Sequence, residues 1–238
     1  MVEGKLLDVV FGSSTAFRLH SEDEEYSSMS VKIPTEYIDY TTSRELEKDQ
    51  VSEPKGDQVP EPKYKNRIYH GVLETDPPTG PIDVAIKWVQ GSVGVDSLRY
   101  EAAVYQDELG PLQGETVPKF YGFFTASLAG EKLACVILQW CEGSLAVMRD
   151  ELKRMLAACR LHQAGIVHGN LRDGHFLLGQ DGKVRIVDFS TAKLHKCLNE
   201  YPLLENDRGY RNSVRCLELY QMEYRISTSA KQWPTDDH

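Results

Sequence analysis

One stretch, Leu161 to Ser190 (LHQAGIVHGNLRDGHFLLGQDGKVRIVDFS), constrains this chain more than any other. It opens on the end of a helix, crosses the polar run His168-Gly169-Asn170-Leu171-Arg172-Asp173-Gly174-His175, and closes on Asp188-Phe189. Phe176 to Leu178 and Val184 to Val187 read as two short strands around a turn at Gln180-Asp181-Gly182, because Asp-Gly tolerates the positive φ of a tight turn. A loop carrying that many titratable groups beside a small hairpin is where a site is commonly built.

The upstream counterpart is Ile82-Asp83-Val84-Ala85-Ile86-Lys87-Trp88. Ile82, Val84, Ile86 and Trp88 share one face of a strand, and Asp83, Ala85 and Lys87 share the other. A hairpin from Arg67 to Val89, turning through TDPPTGP, is the economical reading. Earlier, Leu6 to Phe11 and Ser30 to Ile33 have strand character, and the run from Ser21 to Glu25 reads as a solvated acidic loop. Residues 41–64 are polar and charged, and two Glu-Pro steps disfavour helix there, so this is a polar insertion.

After the hairpin, Ser97 is placed to cap a helix from Leu98 to Leu109, stopped by Gly110-Pro111. Strands at Phe120 to Thr125 and Leu133 to Trp140 follow, then helices at Leu145 to Gln163 and Asn212 to Tyr224. Strands with one helix, followed by helices with a small hairpin, imply an α+β chain in two parts. The parts are a mostly β N-terminal lobe over 1–141 and a helical C-terminal lobe over 142–238.

Composition sets the limits. A chain of 238 residues with 41% apolar and 26% charged content is that of a globular protein. A net charge of -9 without a long basic run excludes a nucleic-acid footprint, and no apolar stretch is long enough to predict a membrane span. Five cysteines at irregular spacing, with no CxxC, point to a reducing cytoplasmic or nuclear setting and to thiols acting as small hydrophobes. His162, His168 and His175 match no compact metal signature, so no structural metal site is predicted.

Several side chains can carry chemistry. Lys87, with Glu101 on the next helix, can hold an anionic ligand such as phosphate, although a lone strand lysine is ordinarily a solvated charge. Asp188 at a strand end can hold a divalent cation or simply cap a turn. His168 has three open readings: core histidine, general base or ligand.

Taken together, Val84-Ala85-Ile86-Lys87, Glu101, Trp140 to Gly143, the His168–His175 loop and Asp188-Phe189-Ser190 resemble a divergent protein kinase-like fold. The likeness covers about Arg67 to Ser190 and is similar to small fungal kinase-like proteins. It implies a two-lobed fold with an abbreviated C-terminal lobe. It also implies nucleotide contacts from Lys87, Glu101, Trp140 and Glu142, and ATP and Mg2+ as ligands, with Asp188 and His175 at the metal. His168, Asn170 and Asp173 then form a degenerate catalytic loop. Asn170 stands where the family carries its aspartate base, and His175 where it carries a metal-holding asparagine. Ser190 replaces a glycine, no glycine-rich loop precedes Arg67, and no Ala-Pro-Glu follows Ser190.

These departures predict an inactive or weak phosphotransferase, a pseudokinase that works by binding a nucleotide or a protein partner. The alternatives are an atypical magnesium-dependent ATP phosphotransferase, with Asp173 supplying the carboxylate, or an interaction scaffold that binds no nucleotide.

Overall fold

In a computed structural model, the residues described are 6–11, 15–21, 28–34, 66–75, 80–143, 151–198 and 216–222. The polar insertion expected over 41–64 lies outside them, as do the acidic residues 22–25 and the expected helix residues 145–150, 212–215 and 223–224. The chain divides into two compact units. The first is Met1–Ala103 with Lys119–Trp140, and the second is Val104–Pro118 with Cys141–His238.

The first unit is organised around β5 (Ile82–Gln90). Its alternation puts Val84, Ile86 and Trp88 inside and leaves Lys87 on the opposite face. β5 pairs antiparallel with β4 (Asn66–Thr75) on one side and with β7 (Glu131–Gln139) on the other. β7 continues to β6 (Phe120–Leu128), and β6 to β2 (Thr15–Ser21) through His20↔Thr125 and Ser21↔Phe124. β2 is the return arm of a hairpin with β1 (Leu6–Phe11). β3 (Ser28–Ile33) closes the circuit, parallel to β1 and antiparallel to β4. The result is a closed seven-stranded mixed barrel in the order β1-β2-β6-β7-β5-β4-β3.

Side chains fill the barrel. Leu7, Val9, Leu19, Val31, Leu73, Val84, Ile86 and Ile137 are fully buried in one cluster, each contributing about 1.5–3 kcal/mol of apolar burial. Phe11, Phe17, Tyr69 and Trp88 meet edge to face, with ring centroids 5.2 to 5.8 Å apart. Gly71 lets three strands approach, since a Cβ there would lie 2.8 Å from both Ile86 and Val31.

Helix α1 (Ser92–Gln106) starts directly after Gly91, whose φ of 89° turns the chain out of β5. It begins ahead of the cap expected at Ser97, because Gly91 O accepts the first helical bond from Val95 N at 3.0 Å. The boundary between the two units falls within this helix.

The second unit holds helix α2 (Glu151–Gln163), which buries Met155, Ala158, Cys159, Leu161 and His162. After α2, Gly165 at φ 83° reverses the chain into β8 (Ile166–Val167), which pairs with β11 (Lys193–Leu194). Between them β9 (Phe176–Leu178) and β10 (Val184–Ile186) form the hairpin expected around Asp181-Gly182. A further short helix, α3, occupies residues 217–222.

The expected two-lobed protein kinase-like fold with an abbreviated C-terminal lobe is corrected by this architecture. The strands close into a mixed barrel, and the helices among the described residues are few and short. The motifs behind that expectation fix single elements, whereas closure is decided by the β1–β3 and β2–β6 pairings, on which no motif reports. β2, with Arg18 and His20 facing solvent, was not read as a strand at all.

A convergent histidine and cysteine cluster as the candidate metal centre

Three segments of the second unit bring His162, His195, Cys197 and Cys216 together, with one donor atom from each lying within 4.8 Å of all the others. His162 is in the last turn of α2 and is fully buried. His195 leaves β11, anchored by its N–H to Gly165 O at 2.7 Å. Cys197 lies two residues further on, a spacing that returns it to the same side of the segment as His195. Cys216 immediately precedes α3 and accepts the first bond of that helix, from Tyr220 N, at 2.9 Å.

The sulfur of Cys216 sits 3.4 Å from His162 Nδ1 and 3.5 Å from His195 Nε2. A single thiol proton can serve only one of these two imidazoles. The two rings stand nearly perpendicular, with centroids 5.1 Å apart. Burial lowers the His195 pKa, helped by the neighbouring His162, which favours the neutral ring that ligates metals. Burial raises the Cys216 thiol, to which Cys197 is itself hydrogen-bonded.

Glu218 sets the orientation of His162. Its Oε2 accepts the Nε2–H of His162 at 2.8 Å, which leaves Nδ1 with its lone pair toward the cluster. The same carboxylate accepts the backbone N–H of His168 at 3.0 Å and of Gly169 at 2.8 Å. Burial would raise the Glu218 pKa, but these bonds outweigh it and hold the carboxyl below its ordinary value.

No protein-family model matches this chain, and the comparison with curated proteins found no match. The reading of the site therefore rests on its geometry.

The residues singled out in the sequence form separate groups. In the first unit, Lys87 Nζ donates to Glu101 Oε2 at 2.6 Å, with Glu101 1% exposed. Trp140 stacks on His70 at 4.1 Å, and His70 in turn meets Asp83 at 3.0 Å. In the second unit, Glu142 is exposed and its backbone bridges to Leu178. His168 and His175 stack at 5.2 Å. His168 Nε2 donates to Val187 O, and His175 Nδ1 donates to the Asn170 carbonyl. Asp188, at φ 74°, places Oδ2 3.3 Å from His175 Nε2 and accepts from Ser190 Oγ. Asn170 Oδ1 accepts from Arg172, and the exposed Asp173 carboxylate accepts from the buried Arg154 at 2.8 Å.

The expectations tied to the kinase-like resemblance fall with the fold. A closed barrel with a histidine and cysteine cluster is not a nucleotide-binding scaffold of that family. This corrects the pseudokinase reading and its alternatives of a magnesium-dependent ATP phosphotransferase and an interaction scaffold that binds no nucleotide. It corrects the weak phosphotransferase activity and, as ligands, ATP and Mg2+. Soft sulfur and imidazole donors suit a different class of metal from magnesium.

Spacing in the sequence sets His162 beside His168 and His175, whereas the structure sets it beside His195, Cys197 and Cys216. The one local signal of this group is His195-x-Cys197; His162 and Cys216 come from segments remote in sequence, which spacing alone does not join.

Proposed function

We propose that this protein is a metal-binding protein whose second unit is organised by a zinc-class divalent ion held by His162, His195, Cys197 and Cys216. The observation that carries this reading is the pair of sulfur–nitrogen separations around Cys216, 3.4 and 3.5 Å. A tetrahedral zinc with bonds of about 2.3 Å to sulfur and about 2.05 Å to nitrogen requires an S···N edge of about 3.6 Å. Cys216 and the two imidazole nitrogens already stand close to that edge length, and the Cys197 sulfur lies within 4.8 Å of all three. Glu218 supplies the outer carboxylate that ligating histidines characteristically have.

Four protein donors leave no open position, so the role is structural rather than catalytic. The ion would tie the end of α2, the segment after β11 and the start of α3 into one body. Elemental analysis of the purified chain, followed by cobalt substitution, tests this. One metal per chain and the absorption of tetrahedral thiolate-bound cobalt are expected, and both are lost in His195→Ala and Cys216→Ser. Absence of bound metal after reconstitution with zinc sinks the reading.

A further inference from the structure

Among the described cysteines, Cys197 alone is not buried, while Cys135, Cys141, Cys159 and Cys216 are. The less buried flank of the candidate metal centre is formed by His195 and Cys197, so one of its two sulfurs is partly accessible. Its partner sulfur, Cys216, lies within 4.8 Å and in hydrogen-bonding contact with it. The segment carrying Cys197 follows a strand of only two residues, held by Lys193↔Val167 and Leu194↔Ile166. Exposed side chains surround it, Leu194 at 77% and Leu198 at 64%. Closing the sulfur–sulfur gap to a bond length of about 2.05 Å asks for a small movement of this segment, without unfolding α2.

We propose that Cys197 and Cys216 form a redox gate on the metal site: hydrogen peroxide oxidises the pair to a disulfide and the metal is expelled. The inference rests on the metal-binding reading above. The Cys197 sulfur attacks the peroxide O–O bond, which breaks; one oxygen stays as a sulfenic acid and the other leaves as water after taking a proton. The Cys216 sulfur then attacks the sulfenic sulfur, the S–O bond breaks, the S–S bond forms, and a second water departs. Two sulfurs together lose two electrons, and the peroxide gains them. With both sulfur donors consumed, two imidazoles remain, which is too few to hold zinc against water. A thiol reductant reverses the sequence and restores all four donors.

Cys159 is the internal competitor. It is buried on α2 close enough to both Cys197 and Cys216 to feel their charge, and burial pushes its thiol up to about 12. Buried on its helix, it is shielded from the oxidant, and the proposed bridge excludes it.

The test uses the full zinc-loaded chain titrated with hydrogen peroxide. Zinc release is read with a chromogenic chelator, and disulfides are mapped by peptide mass spectrometry. One zinc released per Cys197–Cys216 disulfide, with rebinding after dithiothreitol, is the expected result. Cys135→Ser, in the barrel core of the first unit, should release zinc with an unchanged peroxide dependence. Zinc retained while Cys197 is oxidised, or release accompanied by a bridge to Cys159, overturns the gate and leaves the metal site standing. A chain that takes up no zinc before peroxide is added overturns the metal site itself, and the gate with it.

Discussion

Glu218 shows how one side chain can set the chemistry of another. Its carboxylate fixes which nitrogen of His162 carries the proton, and two backbone amides keep it in place. Glu218→Gln keeps the size but removes the charge, and should weaken zinc binding about 10- to 100-fold in a chelator competition assay. Thiol reactivity follows from burial at the same scale. Burial pushes Cys141 up to about 11 and Cys159 up to about 12, and raises Cys135 as well. In the metal-free native chain, Cys197 should therefore alkylate first with iodoacetamide, ahead of these three, and bound zinc should protect it. Lys87 is a third case. Its partner Glu101 is 1% exposed, so Lys87→Met leaves a buried carboxylate facing an apolar group. Urea denaturation should show a loss of about 3–5 kcal/mol, and replacing both residues by apolar ones should cost less.

Among the elements, the β9–β10 hairpin has the tightest local design. Arg185, 1% exposed, donates through Nη1 and Nη2 to the two oxygens of Asp181 at 2.9 and 2.8 Å, and through Nη2 to Gly114 O at 2.6 Å. A Cβ on Gly179 would fall 1.4 Å from Arg185 Nη1, so Gly179→Ala must displace the guanidinium. The Arg185 hydrogen bonds hold the Asp181 carboxyl below its ordinary 3.8. A depressed folded pKa means that the stabilisation is complete above the unfolded value and is lost as pH falls through the folded one. Stability measured from pH 5 downward should therefore decline less steeply below about pH 4 in Asp181→Asn than in the parent. This element was legible in the sequence: Asp-Gly between Phe176-Leu177-Leu178 and Val184-Arg185-Ile186 announces the turn, and the alternation from Ile82 to Trp88 announces the inner face of β5. The helix expected from Ser97 was misplaced in its start because Gly91, at positive φ, rather than a serine cap, sets it.

At the scale of the whole molecule the sequence was far less informative. The pairings that close the barrel join residues such as Leu6 with Ser28 and His20 with Thr125, and periodicity within a strand does not identify its neighbour. The metal donors are similarly scattered from residue 162 to residue 216, without the paired spacing that makes zinc motifs readable. A local catalytic-loop pattern outweighed both. Removal of zinc with a chelator should lower the melting temperature, and the loss should reverse on adding zinc back, since a ligand of the native state stabilises by mass action. The barrel carries one more consequence, which concerns time. β2 leaves the ribosome early, yet its partner β6 is made roughly a hundred residues later, a wait of roughly 5–20 s at ordinary rates of synthesis. Until β6 arrives the nascent chain carries an incomplete ring, and a chaperone that shelters exposed strands should bind it most strongly in that interval.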